Sequence, residues 1–251
     1  MPLRVWLIGA SSGIGFALAK LLLLKGHKLI LSSRDTAASE NLQALKIQYR
    51  ERVILQSVDV RESESVSLAV HRAFEAFGGL DICMYNAAVY ENTSIWDSDI
   101  QEWERMNEIN YVGAVRVALE VVSHFEKQGR GHLVFNASVS SYFGLPYGGA
   151  YSAPKAALLN FCESMYPELK SKGIYLQVIN HGFVKTRLTE KNEFTMPQLL
   201  SPKEATHSIY KGLQKPQRFE IRFPWMLSRF LRLLQMMPYS WSFSITQRLL
   251  K

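Results

Sequence analysis

Cysteine is scarce. The chain has two, Cys83 and Cys162, which cannot build a disulfide framework and lie in no CxxC or Cys/His spacing that would hold zinc. Both are expected to be reduced, buried thiols, and no metal site is expected. An export signal is missing too: the N-terminal run reaches Gly9 after too few apolar residues for a signal-peptide core, and a cytoplasmic protein is expected. No repeat, low-complexity stretch or Pro/Gly/Ser linker divides the chain. Acidic residues are absent from Ile221 to Lys251, whereas Arg222, Arg229, Arg232, Arg248 and Lys251 all fall there. Most of the formal charge of +7 therefore gathers at one end. The nearly balanced body excludes a general nucleic-acid binder.

What remains is ordinary globular composition, 47% hydrophobic and 20% charged over 251 residues, which leaves no room for extended disorder or a coiled coil. Short apolar runs alternate with helix-patterned stretches: Leu3–Ile8, a helix from about Gly13 to Lys25, Lys28–Ser32, Arg52–Val58, a helix near Glu62–Phe77, and Leu80–Tyr85. A long helix near Ile100–Lys127, His132–Ala137, a helix near Tyr151–Lys172 and Ile174–Ile179 continue the rhythm. This order predicts an α/β fold of the doubly wound Rossmann type, a parallel β-sheet flanked by helices, with ligands at the strand C-termini. Residues 1–223 are read as one nucleotide-binding catalytic domain and 224–251 as an amphipathic basic extension.

Directly after the first strand stands Gly9-Ala-Ser-Ser-Gly13-Ile-Gly15, a turn opening a helix whose free N–H groups and dipole suit a pyrophosphate. Glycine lets that backbone approach the phosphates. The second strand ends in Ser32-Ser33-Arg34, where an NAD site usually carries an acid for the ribose 2′-hydroxyl. A guanidinium there grips a 2′-phosphate, so the expected cofactor is NADP(H).

Tyr151 and Lys155 stand four apart, on one helix face. With eleven tyrosines and fourteen lysines, about 0.6 such pairs arise by chance, and Tyr166 with Lys170 makes a second. Ser138 decides between them. It lies thirteen residues before Tyr151 at a strand end, whereas thirteen before Tyr166 is Ala153.

Taken together, Gly9-x3-Gly13-x-Gly15, Asp59-Val60, Asn86-Ala87-Ala88, Asn110, Ser138, Tyr151, Lys155 and Gly182-x-Val184-x-Thr186 resemble the short-chain dehydrogenase/reductase family, in its compact single-domain branch. The resemblance covers roughly Leu3 to Phe223. It implies an oxidoreductase, a carbonyl reductase or the reverse alcohol dehydrogenase, in which Tyr151 transfers the proton, Ser138 holds the substrate oxygen and Asn110 anchors a water in the proton path. Lys155 would hold the nicotinamide ribose. The cofactor would rest on Gly9, Ser11, Ser12, Gly13, Ile14, Gly15, Arg34, Asp59, Val60, Asn86, Ala87, Ala88, Tyr151, Lys155, Gly182, Val184 and Thr186. A free tyrosine titrates near 10, and bringing it to about 7 needs ~4 kcal/mol of phenolate stabilisation, for which Lys155 and the oxidised cofactor supply a field. Three positions depart from the family pattern, Ile8, Ala88 and His181, and none removes a catalytic group. A regulatory protein that binds NADP(H) without turnover is the alternative from another class.

Expected pocket walls are Val89, Tyr90, Ser140 to Tyr147 and Phe183, with Arg187–Leu200 as a lid. Their aromatic and aliphatic character favours an apolar, lipid-like carbonyl or alcohol. The chain is expected to form a homodimer or homotetramer. In the tail, a helix over Trp225–Met237 would align Ser228, Arg229, Arg232 and Gln235 in a polar stripe beside a wide apolar remainder. It cannot span a bilayer, since arginines interrupt it and Pro238 breaks the following uncharged stretch. Docking on the body, pairing with another subunit and lying on an anionic membrane surface each satisfy that pattern.

Overall fold

Alternation along the first apolar run places Val5 and Leu7 in one core and Trp6 and Ile8 in another, as the two-residue period of a strand requires. All four are 1% exposed or less, so both faces of the sheet are covered. A computed structural model describes residues 2–250 apart from 93 and 193. In chain order its elements are β1 (Arg4–Ile8), α1 (Gly13–Leu24), β2 (Lys28–Ser33), α2 (Glu40–Tyr49), β3 (Val53–Ser57), α3 (Ser63–Glu75), β4 (Ile82–Tyr85), α4 (Ile100–Asn107), α5 (Gly113–Gln128), β5 (Gly131–Asn136), α6 (Gly149–Ser171), β6 (Ile174–His181), α7 (Pro202–Leu213), β7 (Glu220–Phe223), α8 (Trp225–Met236) and α9 (Tyr239–Thr246).

The strands form one seven-stranded sheet in the order β3-β2-β1-β4-β5-β6-β7, parallel throughout. The expected α/β Rossmann-type fold is therefore present. One core packs α1, α2 and α7 on the sheet, and the other packs α3, α5 and α6 on the opposite face. The chain runs outward from β1 in one direction and resumes at β4 in the other, so a crevice opens at the C-terminal ends of β1 and β4.

Three elements lie outside the apolar rhythm of the sequence. Helix α2 buries only Leu42 and Leu45, too few to mark a period. Helix α7 starts on a capping box between Ser201 and Glu204 with Pro202 in its first turn, and β7 is a short edge strand beside β6. The single long helix expected over 100–127 is two helices joined by a π-helical turn, Glu108–Val112.

The tail docks, and its facing differs from the expected polar stripe. Ser228, Leu231 and Leu234 of α8 are buried, as are Ser242 and Thr246 of α9, while Trp225, Met226, Leu233 and Met236 are more than half exposed. Arg232 donates to Glu220, just before the acid-free stretch, at 2.7 Å, and Arg222 stands 3.7 Å from the same carboxylate. Lys251 lies outside the described residues.

Candidate active site

Gly9 follows β1 with φ of +85°, and a Cβ there would stand 2.6 Å from the Ala87 nitrogen. Only glycine allows this turn to lean against the end of β4. The Gly9 and Ala10 N–H groups donate to the Ser32 carbonyl at 2.8 and 3.0 Å, tying the turn to β2. Helix α1 begins at Gly13 with no side-chain cap on its first N–H groups and no acid in its first turn, which leaves its positive end for an anion.

These groups open onto one continuous cleft of about 400 Å³. Gly9, Ser11, Ser12, Gly13, Ile14, Arg34, Asp59, Val60, Asn86, Ala87, Ala88, Gly182, Val184 and Thr186 all line it. Gly15 does not. It lies behind the turn, where a Cβ would meet the Gly9 carbonyl at 2.1 Å. Arg34 is exposed and forms no ion pair among the described residues, whereas Asp59 is occupied by Arg61 at 2.6 Å. That pairing holds the Asp59 carboxyl below the usual carboxylate range. The donor set, a bare helix N-terminus beside an unpaired guanidinium, fits a dinucleotide.

Ser138, Tyr151 and Lys155 line the same cleft. Ser138 lies two residues beyond β5, and its Oγ accepts from the Ser140 N–H at 3.2 Å as it caps a short 3₁₀ turn. Tyr151 and Lys155 stand on the first turns of α6, with the ammonium 5.6 Å from the phenol ring centre. Lys155 is 1% exposed and donates to the Asn136 carbonyl at 2.7 Å. Burial pushes the Tyr151 phenol up, against the lowering effect of a hydrogen bond with Ser138, and pushes Lys155 down to about 7. In the protein alone, desolvation rather than the lysine sets the direction for the phenol. Tyr90 packs its ring edge-on against Tyr151 with centres 5.0 Å apart.

Asn110 sits in the π-helical turn and is fully buried, off the cleft wall. Its carboxamide accepts from the Val89 N–H at 2.8 Å and donates to the Val89 carbonyl at 2.9 Å, so it pins the loop after β4. Tyr166 packs on Phe219 at 5.2 Å, away from the cleft. His181 lines the cleft; its Nδ1–H donates to the Gly182 carbonyl at 2.7 Å, and burial lowers it to about 4, so the ring is neutral. Of the expected walls, Val89, Tyr90, Ser140, Leu145, Pro146 and Phe183 line the cleft, joined by Arg187, Leu188, Thr189, Asn192 and Phe194 of the expected lid; residue 193 of that lid lies outside the described residues.

Several contributors escape a reading of the sequence. Asn136 donates to Asn86 at 2.7 Å, and Asn86 donates to the Gly9 carbonyl at 2.7 Å, so one chain of bonds joins Lys155 to the glycine turn. An asparagine two residues before Ser138 is the signal available. Leu227 and Leu231 of α8 also line the cleft, brought in where a Cβ on Gly182 would stand 2.8 Å from the Pro224 ring. Glu220 accepts from Tyr142, from Asn180 at 2.7 Å and from Arg232 at 2.7 Å. Asn180 in turn accepts from Ser141 at 3.2 Å, which links the tail to the segment after Ser138.

The short chain dehydrogenase family model matches residues 4–196. An uncharacterized oxidoreductase of Myxococcus xanthus is 34% identical over 236 residues, covering 92% of this chain and 90% of its own length. One of Staphylococcus saprophyticus is 29% identical over 215 residues, covering 85% and 92%. Among solved structures, a short chain dehydrogenase of Burkholderia cenocepacia in complex with NADP superposes with a TM-score of 0.84 at 20% identity, covering 100% of this chain and 98% of that one. One of Burkholderia phymatum in complex with NAD reaches 0.83 at 22% identity, covering 94% and 93%. With the family model over most of its length and the Myxococcus relative nearly end to end, the chain belongs to the short-chain dehydrogenase/reductase family of oxidoreductases.

Proposed function

We propose that the protein is an NADP(H)-dependent carbonyl reductase, or the reverse alcohol dehydrogenase, acting on an apolar, lipid-like compound. The observation that carries this reading is that Ser138, Tyr151 and Lys155 line the same cleft as the glycine turn and the unpaired Arg34. Residues 1–223 carry the chemistry and 224–251 extend it.

Bound NADPH supplies the hydride. Gly9, Ser11, Ser12, Gly13 and Ile14 would hold the pyrophosphate, with Gly15 letting the turn pack close, and Arg34 would meet the 2′-phosphate. Asp59 and Val60 would frame the adenine, Asn86, Ala87 and Ala88 would back the ribose side, and Gly182, Val184 and Thr186 would serve the carboxamide. Tyr151 gives its hydroxyl proton to the carbonyl oxygen, which Ser138 holds. Burial keeps that phenol protonated, the form a reduction requires, and a charged Lys155 steadies the phenolate left behind. Asn110 serves the site by fixing Val89, a wall beside Tyr90. Leu145, Phe183, Phe194, Leu227 and Leu231 give the substrate end an apolar lining, which favours an aliphatic or aromatic carbonyl over a sugar.

Following NADPH absorbance with aldehydes and ketones graded in chain length tests the reading. Turnover that rises with apolar length is expected. Tight NADPH binding with no oxidation by any compound would replace the enzyme with a cofactor sensor, and better turnover of sugars would overturn the apolar assignment.

A further inference from the structure

Helices α8 and α9 carry large apolar side chains on the side that faces away from the core. In α8 the inward arc carries Leu227, Ser228, Leu231 and Leu234, while the outward arc carries Trp225, Met226, Arg229, Phe230, Leu233 and Met236, each of these apolar side chains 43–83% exposed. In α9 the hydroxyl residues Ser242 and Thr246 are buried, and Tyr239, Trp241 and Phe243 are 71, 63 and 57% exposed. Ser242 Oγ donates inward to the Leu234 carbonyl at 2.7 Å, so the inward turn of the hydroxyls is held by a hydrogen bond. Isolated exposed apolar residues are normal; five aromatics, two methionines and a leucine exposed on two consecutive helices mark an interaction surface.

The charges on this face choose the occupant. Arg229 lies 5.3 Å from the Trp225 ring, and Arg248 is exposed near the end of the tail. Glu220 is the one carboxylate that Arg222 and Arg232 share, and no acid follows it in the sequence. A second copy meeting this face across a two-fold axis would bring the same uncompensated arginines together with no carboxylate from either tail. An anionic bilayer offers the opposite sign and an apolar interior. Tryptophan, tyrosine and arginine are the side chains that settle at the headgroup level. No helix of the described residues is long and apolar enough to cross a membrane, so the fit is to a helix pair lying in the interface plane with its apolar face sunk to the acyl boundary.

We infer that the outward face of α8 and α9 is a docking surface for an anionic bilayer. The inner side of α8 is a wall of the catalytic cleft through Leu227 and Leu231, which places that wall one helix thickness from the lipid. Delivery of an apolar carbonyl compound from the membrane rests on the reductase reading. Membrane docking itself does not.

The test is flotation of the full chain with vesicles of phosphatidylcholine alone or mixed with phosphatidylglycerol. Binding is expected to the mixed vesicles, and it should weaken as salt is added, because exposed charges are screened beyond about 8 Å at physiological ionic strength. Two exposed pairs are then changed, Trp241→Ser with Phe243→Ser, and Arg229→Glu with Arg248→Glu. Each double variant should lose at least tenfold in vesicle binding while keeping the parent unfolding midpoint and the parent NADPH oxidation rate on a soluble ketone. The inference is overturned if the parent ignores phosphatidylglycerol vesicles at low salt or if both variants bind like the parent. It also fails if light scattering shows a dimer that these substitutions dissociate, since a second copy would then own the face. Loss of ketone turnover by the parent, with vesicle binding intact, would sink the reductase reading and leave the docking surface standing.

Discussion

Lys155 Nζ donates to the Asn136 carbonyl at 2.7 Å from a position 1% exposed to solvent. No carboxylate compensates this buried ammonium among the described residues, and burial lowers it to about 7. The unfolded lysine takes up its proton near its ordinary 10.5, so as pH falls from there to about 7 the unfolded state binds more protons and the folded chain loses stability. Below about 7 the full cost is present. Lys155→Met is therefore expected to abolish turnover and yet melt higher than the parent at neutral pH. The gap should shrink as pH rises toward 10. Thermal melts across that range check it; a variant less stable than the parent at pH 7 would show that the Asn136 bond outweighs desolvation.

Tyr151→Phe removes the transferable proton and the hydroxyl's bond with Ser138. Reductase activity should fall by several orders of magnitude while NADPH still binds. Tyr166→Phe, on the same helix but packed on Phe219, is the control. Equal, near-parental rates for the two would remove Tyr151 from the chemistry.

Arg34 forms no ion pair among the described residues. Its replacement by alanine should weaken NADPH by roughly tenfold to a hundredfold, the worth of ~1.5–3 kcal/mol in a charge-assisted hydrogen bond, and leave NADH nearly unchanged. Titration of both cofactors against parent and variant decides it. An NADH preference in the parent would contradict the assignment at once.

Arg232 and Glu220 hold the tail to the sheet at 2.7 Å. Arg232→Ala leaves the carboxylate with Tyr142, Asn180 and a more distant Arg222. A stability loss of about 1–3 kcal/mol is expected, read as a lower denaturant midpoint. Faster proteolysis after Phe223 should accompany it, and an unchanged cleavage rate would mean that Leu231 and Leu234 suffice to dock α8.

Much of the site was legible because its signals are local. A glycine-rich turn after an apolar run, an arginine ending the next run and a Tyr–Lys pair at helical spacing are each set by neighbours in the chain, and their order follows from strand–helix alternation. Helices α2 and α7 were harder to read, since surface helices with few buried residues carry little periodicity. Local pattern is thus enough for the fold class, the family motifs and the segment holding each candidate group. The bridge that Asn136 makes from Lys155 to the glycine turn through Asn86, and the wall that Leu227 and Leu231 give the cleft from the far end of the chain, arise only on folding. Folding also turns Ser228, Ser242 and Thr246 of the tail inward and leaves its aromatic residues outside. Burial and long-range pairing depend on residues distant in the chain: desolvation raises Tyr151 and lowers Lys155 only once the surrounding elements have closed around them.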